Sequence, residues 1–473
     1  MCLKKENPIV AHEKFNYKSL EEIKTKVDIL GLDIRFDEDL SVLKTPVKVG
    51  NRLAPNSFCV LPMEGCDSNL DGSPSNLTAR RYLRFARGGS GLVWWEACSI
   101  LPEAKANERQ MMLTSSNRDQ FKQLLTNVRN ASAERFGHGF RPLHILQLTH
   151  SGRYCRPKGH IAQPMIIQHD PILDPRSGIA PDDDSHIVSD DYLRSLVEHY
   201  VMSAKLAKQA GFDGVDIKVC HRYLLSELVA ARNRTGEYGG SFENRIALIR
   251  EIVQAVRNEA GTDFIIASRL NAYDAHPYPY GFGCSEHNMW ELDLSEPLAL
   301  AKIMQTDGVD LFCITAGNPY FIQANVTRPF DTSSMGIPIP DEHPLESVQR
   351  QFLLAAAIQQ AVSVPVVGSG YSWLRNFVPY AASANIKDGR ASFVGLGRSS
   401  LAYPDAPADI LKSGFMKPNK CCITCSKCTQ IMRDHGITGC VVRDSETYLP
   451  LYKAARADAD SREKCFQQER GKL

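Results

Sequence analysis

The sequence predicts an α/β protein, a (β/α)₈ TIM barrel with a short C-terminal cysteine-rich extension. Short apolar runs alternate with amphipathic helical stretches over about 350 of the 473 residues, and the runs number eight. Eight strand and helix repeats match a closed barrel, and no comparable count fits an open Rossmann sheet. After the last repeat the pattern stops, and five cysteines crowd into residues 421–440. A chain of this length is expected to form one large domain with an appended piece.

The predicted strands are apolar runs of four to six residues, a length typical of strands that are buried on both faces. They are Phe58 to Leu61, Gly91 to Trp95, Leu143 to Leu148, Gly214 to Ile217, Phe264 to Ala267, Leu311 to Thr315, Val364 to Val367 and Ser392 to Leu396. The predicted helices between them span about residues 75–88, 117–135, 190–210, 243–260, 294–306, 348–361 and 372–386.

These patterns predict three segments: an N-terminal segment over residues 1–50 that covers the barrel bottom, the barrel over 51–413, and a cysteine-bearing tail over 414–473. The first segment contains a capping-box signature, in which Ser19 precedes Glu22 by three positions. Two insertions follow the third and fifth strands, at residues 151–190 and 271 to about 292. Loops of this length on the catalytic face are usually lids or substrate walls.

Composition limits the partners and the compartment. The chain has 55 basic and 54 acidic residues, so it carries no charge imbalance that would favour nucleic acid or an anionic membrane surface. It lacks an 18-residue apolar run and its first residues lack the apolar core of a signal peptide, so we expect a cytoplasmic protein. The 14 cysteines are mostly single and do not form the framework of a small secreted disulfide protein.

Residues 211–245 are predicted to form the wall of a reaction site. The strand from Gly214 ends in a polar group of Lys218, His221 and Tyr223. Ligands bind at the carboxyl ends of parallel strands, so three titratable side chains there favour chemistry. The alternative is that they are satisfied core residues.

Glycines end the last two predicted strands, where a barrel of this kind binds phosphate. Gly368 and Gly370 follow the seventh strand, and Gly397 and Arg398 follow the eighth. Glycines let backbone N–H groups approach phosphate oxygens, and a guanidinium can bind two of them. Tight turns at the barrel rim are the alternative.

Two further side chains end predicted strands. Gln147 offers a donor and an acceptor to the edge of a ring with adjacent C=O and N–H groups, and Arg269 could stabilise negative charge on that ring. Together with these residues, four motifs resemble the old yellow enzyme family of NADH:flavin oxidoreductases, in its 4Fe-4S branch with 2,4-dienoyl-CoA reductase and trimethylamine dehydrogenase. The motifs are NRLAPNSFCVLPM at 51–63, GGSGLVWWEA at 88–97, QLTHSGR at 147–153 and YGGSFENR at 238–245.

The resemblance extends from about Asn51 to Cys440 and implies non-covalent FMN over the barrel mouth. It places Gln147 at the pyrimidine edge and Arg269 near N1 and O2. It also implies that Pro62, Met63 and Ala97 line the flavin and that Gly368, Gly370, Gly397 and Arg398 form its phosphate site. Glu64 stands where family members have Thr or the Cys that attaches flavin covalently, so covalent FMN is not expected.

In reductases of the family, either two His or a His and an Asn bind the substrate carbonyl. A Tyr two residues further on protonates the carbon opposite the hydride. The corresponding residues here are Lys218, His221 and Tyr223, so Lys218 is a departure. A cation there would stabilise enolate charge and repel an ammonium substrate; alternatively, Lys218 forms an ion pair with a loop carboxylate. Arg222 also replaces the usual small Gly, which affects the expected loop geometry.

The tail carries Cys422-x2-Cys425-x2-Cys428, followed after eleven residues by Cys440. The first three cysteines have the spacing with which ferredoxin loops bind a 4Fe-4S cluster, and structural zinc sites more often pair two separated knuckles. We therefore expect a cluster, with zinc as the alternative. Cys421 is interpreted as a bystander, and the residues after Cys440 depart from the family motif.

The expected function is reduction of a C=C bond conjugated to a carbonyl, with electrons that enter through the cluster. A flavin amine dehydrogenase that passes electrons outward and a non-catalytic electron-transfer protein are the alternatives. Longer relatives append an FAD- and NAD(P)H-binding half at about the position where this sequence ends, Leu473. Electrons would come from NAD(P)H directly or from a separate donor protein, and the second is favoured. The sequence leaves the substrate and the oligomeric state open.

Overall fold

Eight parallel strands close into a barrel in the computed structural model, which describes residues 12–321, 324–332, 334–336 and 338–470. The strands are β1 (Val47–Val49), β2 (Arg52–Ala54), β3 (Phe58–Val60), β4 (Leu92–Ser99), β5 (Leu143–Thr149), β6 (Gly214–Ile217), β7 (Ile265–Tyr273), β8 (Leu311–Ala316), β9 (Val366–Gly368) and β10 (Phe393–Leu396). Strands β3 to β10 follow each other around the barrel, and β10 closes it by parallel pairing with β3. The predicted TIM-barrel fold is confirmed.

The helices surround the barrel in chain order. They are α1 (Leu20–Ile29), α2 (Asn76–Ala86), α3 (Arg118–Phe136), α4 (Asp174–Ser177), α5 (Asp190–Ala210), α6 (Leu224–Leu228), α7 (Phe242–Ala260), α8 (Ser295–Asp307), α9 (Ala324–Thr327), α10 (Pro344–Ala361), α11 (Val378–Lys387), α12 (Arg398–Ala402), α13 (Ala406–Ser413), α14 (Lys427–Arg433) and α15 (Ser445–Arg470). No helix within the described ranges has the length and apolarity needed to cross a bilayer.

Several elements differ from the sequence-based prediction. Strand β4 extends to Ser99 where Trp95 was predicted to end it, and two more differences lie near the rim of the barrel. Strand β7 continues to Tyr273 and so includes the polar Asn271. The strand tolerates this residue because its buried side-chain amide donates a hydrogen bond to the Gly317 carbonyl at 3.0 Å. The helix predicted over 372–386 begins as a 3-10 segment, Tyr371–Phe377, and only then continues as α11. Its left-handed Gly370 (φ 95°) marks the start of that segment.

A hairpin closes the lower end of the barrel. Strands β1 and β2 pair antiparallel just before β3. Their Val49 and Ala54 side chains are fully buried and pack with Cys59, Trp94 and other residues of the barrel interior. The hairpin itself was not predicted, because strands of three residues are too short to show an alternating pattern.

The YGGSFENR motif anchors the barrel wall outside the site. Ser241 accepts a hydrogen bond from the Asn244 backbone and caps α7, and Arg245 forms a buried ion pair with Glu296 at 2.5 Å. Arg245 also donates to the Gly240 carbonyl at 3.1 Å. The motif therefore positions the β6–α7 connection and does not itself face a ligand.

A buried charge network holds the loop that follows β3. Arg81 of α2 donates to Asp67 at 2.8 Å and pairs with Glu96 of β4, and all three side chains are nearly inaccessible. Glu96 also accepts a hydrogen bond from the Gly65 N–H at 2.6 Å. Burial raises the pKa of Glu96 to about 7. The network ties residues 65–67 to the barrel.

Substitution Arg81→Met is expected to destabilise the protein by about 3–5 kcal/mol, because it leaves Asp67 and Glu96 buried without a cation. Equilibrium unfolding in urea measures the change. Arg118→Met is the matched control, since Arg118 pairs on the surface with the 80% exposed Asp119 and should change stability by less than about 1 kcal/mol. Equal losses in the two variants would contradict the assignment.

Candidate active site

A central cavity opens at the carboxyl ends of the barrel strands. It encloses about 1050 Å³, mouth included, and its wall contains most of the predicted site residues. Those at the wall are Pro62, Met63, Gln147, Lys218, His221, Tyr223, Arg269, Gly370, Gly397 and Arg398. Sequence positions from 62 to 398 thus converge on one space, as expected for the catalytic face of this fold.

Ala97 and Gly368 lie behind the wall of the central cavity. Ala97 follows a register shift in β4, and its carbonyl accepts a hydrogen bond from Gln110 at 3.2 Å. Gly368 ends β9 and pairs with Val394. Neither is among the residues that line the cavity, so their predicted flavin contacts stay predictions.

The carboxylate of Asp216 organises the floor of the cavity. It accepts hydrogen bonds from Trp94 Nε1 at 2.9 Å, Gln147 Nε2 at 2.6 Å and the Arg269 backbone at 2.8 Å. Burial raises its pKa to about 6. One N–H of the Gln147 amide is engaged by Asp216, which leaves its second N–H and its oxygen for the cavity. Sequence reasoning missed Asp216, whose only signal was a carboxylate within an apolar strand.

Three arginines line the cavity with buried nitrogens that have no partner among the described residues. These atoms are Arg269 Nε, Arg398 Nη1, and Nε and Nη2 of Arg328. Burial and the neighbouring Arg398 lower the pKa of Arg328 to about 9. Buried guanidinium nitrogens without acceptors fit a phosphate-bearing anion. They therefore fit the FMN that the sequence resemblance implies.

Arg328 and Tyr320 were not predicted as site residues. Both lie in the segment between β8 and α10, which contributes a third long loop to the cavity. The available signal was its length, about thirty residues without a predicted element. Such a loop in a compact barrel usually carries function, as do the two insertions that were recognised.

Lys218 and Tyr223 contact each other and share one carboxylate. Lys218 Nζ lies 3.5 Å from Glu64 Oε1 and 3.6 Å from the centre of the Tyr223 ring. The Tyr223 hydroxyl donates to Glu64 at 3.3 Å and lies 2.7 Å from the Tyr320 hydroxyl. Burial, together with Glu64, raises the pKa of Tyr223 well above its ordinary value, so the phenol stays protonated. The ion pair considered for Lys218 is present, and it belongs to the cavity wall.

His221 and Arg222 form the turn after β6 with two consecutive left-handed residues, at φ 65° and 59°. Arg222 is buried between Asp170 and Asp274, each at 3.4 Å, and it donates to the Tyr280 carbonyl at 2.8 Å. These contacts with both insertions hold the turn without the glycine usual in the family. Burial and the charges of Arg269 and Lys218 lower the pKa of His221, so its ring is neutral.

An outer chamber of about 1250 Å³ adjoins the central cavity. Three residues line both spaces, namely Glu64, Tyr320 and Met432. The chamber is otherwise lined by Cys66, by the loop after β4 (residues 106–109), by the insertion after β5 and by residues at the end of α14 and just beyond it. The two spaces therefore meet at these shared side chains.

The four predicted cysteine ligands line a third space, the cysteine cavity, of about 350 Å³. Backbone N–H groups of Thr424 and Arg443 donate to the sulfurs of Cys422 and Cys440 at 3.4 and 3.3 Å. Across the described ranges, no three metal-binding side chains converge closely enough for a single ion. Four thiols around one cavity, with N–H donors to two of the sulfurs, fit the cluster that the cysteine spacing predicts.

The cysteine cavity touches the central cavity. Cys428 and Arg398 line both spaces. Cys421 does not line the cysteine cavity, and its thiol donates to the Lys417 carbonyl at 3.4 Å. Burial raises the pKa of Cys422 to about 12, so a bound cation is needed to hold it as a thiolate at neutral pH.

Residues 42–310 match the model of the NADH:flavin oxidoreductase / NADH oxidase family. A metal reductase of Desulforamulus reducens is 27% identical over 394 residues, 82% of this chain and 51% of that protein. A cinnamate reductase of Clostridium sporogenes is 26% identical over 426 residues, 86% and 58% of the two chains. The chain spans about half the length of such curated relatives.

Solved structures share the fold. A complex of 2-naphthoyl-CoA reductase superposes with a TM-score of 0.66 at 21% identity and covers 85% of this chain and 57% of that one. An old yellow enzyme homologue from Zymomonas mobilis gives a TM-score of 0.58 at 20% identity, with 79% and 94% covered. Both likenesses support the barrel architecture.

Substitution Asp216→Asn is expected to change how stability depends on pH. The pKa of Asp216 is raised from 3.8 to about 6, so its neutral form favours the folded state at low pH and that contribution is lost as pH rises through about 6. Relative to the parent, the variant should gain about 3 kcal/mol of unfolding free energy between about pH 3 and about pH 7. Urea unfolding at each pH measures this; a difference that does not vary with pH would contradict it.

Proposed function

Because the chain belongs to the NADH:flavin oxidoreductase / NADH oxidase family over residues 42–310, we propose that it is an FMN-dependent ene-reductase. The substrate class is a C=C bond conjugated to a carbonyl. The observation that carries the proposal is the protonated Tyr223 phenol in the wall of the central cavity, beside the cation of Lys218 and the neutral His221. These groups suit a reaction that needs one proton and a polarised carbonyl.

The residues of the central cavity would hold FMN. Gln147 presents its amide oxygen and Arg269 a cation to the ring, while Pro62 and Met63, with Ala97 behind them, would line it. Gly368, Gly370, Gly397 and Arg398 would form the phosphate site, joined by Arg328. When bound, FMN supplies the hydride that reduces the β-carbon of the substrate.

Tyr223 is assigned as the proton donor. Its hydroxyl can pass a proton to carbon and regain one from the Tyr320 hydroxyl at 2.7 Å, while the Glu64 carboxylate accepts a hydrogen bond from Tyr223 at 3.3 Å. Glu64 also lines the outer chamber, so it connects the proton donor with the exterior. Lys218 and His221 would bind the carbonyl oxygen and stabilise negative charge that develops there.

An amine dehydrogenase that passes electrons outward fits the same wall less well. Tyrosine rings could bind an ammonium substrate through their faces. Here Lys218 lies over the Tyr223 ring at 3.6 Å and Arg433 lies over the Tyr320 ring at 3.9 Å. The protein's own cations occupy these faces and repel another cation. A non-catalytic electron-transfer role leaves the protonated Tyr223 unexplained.

Cys422, Cys425, Cys428 and Cys440 would hold a 4Fe-4S cluster in the cysteine cavity. Such a cluster supplies single electrons next to the flavin site, and Cys428 forms the wall that the two cavities share. We favour a separate donor protein over direct reduction by NAD(P)H, because a cluster so close to the flavin otherwise has no purpose. A cytoplasmic location remains the prediction from sequence.

Substitution Tyr223→Phe should slow enone reduction by about 10²–10⁴-fold, because the proton donor is lost while the cofactor site is kept. Anaerobic stopped-flow absorbance of pre-reduced protein mixed with cyclohexenone measures the rate of flavin reoxidation. Tyr273→Phe is the matched control, since this phenol donates to the Met289 carbonyl at 2.8 Å and lines neither the central cavity nor the outer chamber. An unchanged rate in Tyr223→Phe, or turnover of methylated amines alone, would overturn the proposal.

Substitution Cys428→Ser should abolish the iron and acid-labile sulfide that purify with the chain under anaerobic conditions, because it removes one of four proposed ligands. Cys421→Ser should retain both, as Cys421 lies outside the cysteine cavity. Iron and sulfide assays and the visible absorption spectrum test this pair. If both variants keep iron, or if zinc alone is found in the parent, the cluster assignment is wrong.

A further inference from the structure

The outer chamber carries more positive charge than its walls neutralise. Five arginines and two histidines line it, against two carboxylates, Glu64 and Glu108. The histidines are His160 and His435, and the arginines are Arg109, Arg153, Arg156, Arg176 and Arg433. A partly enclosed space with such a balance favours an anionic occupant.

Most of these arginines have a structural role. Arg153 is fully buried in ion pairs with Asp174 and Glu227, the second at 2.5 Å. Arg176 lies over the Phe321 ring at 4.7 Å. Arg433 lies over the Tyr320 ring and donates to the Pro319 carbonyl. Their presence in the wall therefore follows from packing and does not itself indicate a ligand.

Arg156 has no such role. Its guanidinium is half-buried, and it makes no hydrogen bond or ion pair with any side chain or carbonyl that the structure describes. Its charged neighbours are Arg433 and Arg462, and burial together with their charge lowers its pKa. A cation that is partly desolvated beside other cations is costly unless an anion joins it.

His435 offers a second hydrogen-bond donor to an anion in the outer chamber. Burial and the charge of Arg156 lower its pKa to about 4, so the ring is neutral and can donate a hydrogen bond. Its ring centre lies 4.6 Å from that of His160. Arg156, Arg433 and His435 thus offer donors from two separate parts of the chain, the insertion after β5 and the cysteine-bearing tail.

We propose that the outer chamber binds the anionic end of the substrate, a carboxylate or phosphate remote from the reduced C=C bond, through Arg156 with Arg433 and His435. This rests on the proposed function and specifies its substrate class. The chamber shares Glu64, Tyr320 and Met432 with the central cavity, and Tyr223 contacts the first two. A molecule that reaches past these side chains can place its enone beside Tyr223 and its anion beside Arg156. Both anions accept charge-assisted hydrogen bonds from a guanidinium.

The test uses the flavin-loaded full chain and three probes: a cyclohexenone with a short carboxylate side chain, its methyl ester, and its phosphate counterpart. We expect the parent to show a lower KM for the charged probes than for the ester. Arg156→Gln should raise the ratio of KM for the anionic probe to KM for the ester by about 10–100-fold, and Arg156→Lys should restore part of it. The better of the two charged probes identifies carboxylate or phosphate as the source.

Arg109→Gln is the control, because this exposed arginine lines the same chamber and should leave the ratio unchanged. A parent without preference for charged probes, or an equal change for ester and anion in Arg156→Gln, would overturn the proposal. If no probe is reduced, the proposed function fails by itself. Calorimetric titration with the saturated carboxylate and its methyl ester then decides the chamber proposal: selective binding that Arg156→Gln abolishes supports it, and equal binding refutes it.

Discussion

One buried carboxylate, Asp216, holds the catalytic face together. It accepts hydrogen bonds from side chains of β4 and β5 and from the backbone of β7, although it belongs to β6 between the last two. These hydrogen bonds therefore fix the positions of four neighbouring strands relative to each other at the floor of the central cavity. Burial raises its pKa, and three donors oppose that shift by favouring the anion. The orientation of Gln147 and the backbone position of Arg269 both depend on this group.

Around that floor, positive charge without a matching carboxylate is common to the central cavity and the outer chamber. In the part of the chain that the structure describes, Arg269, Arg328 and Arg398 have buried nitrogens without partners at the central cavity, and the Arg156 guanidinium has no hydrogen bond or ion pair in the outer chamber. Folding gains nothing from burying a lone guanidinium, since the desolvation cost exceeds what neighbouring dipoles return. Such residues are stabilised only when anions bind, and this links the stability of the catalytic face to its ligands. By contrast, the buried Arg81 and Arg222 have carboxylate partners and serve the scaffold.

The barrel could be predicted from sequence because apolar runs such as Leu143 to Leu148 are buried on both faces, which leaves a continuous signal. Site residues at strand ends, such as Gln147 and Arg269, could be predicted for the same reason: the strand end fixes where they point. Arg328 and Tyr320 could not be predicted, because they lie in a long loop. Tertiary packing brings this loop to the cavity, and the periodicity of the local sequence carries no information about that packing. The role of Glu64 depends on Lys218, which lies 154 residues further along the chain. The role of Arg156 depends on the absence of a partner among the described residues.

Helix α14 begins at Lys427 and ends at Arg433, and both of its ends face a cavity. Cys428, near its start, lines the cysteine cavity, and Met432 and Arg433, at its end, line the outer chamber. A seven-residue helix has little stability of its own and relies on what anchors its ends. Ligation of Cys428 by the proposed cluster would therefore also anchor the helix that carries Arg433, so loss of iron would disturb the anion site as well as electron transfer.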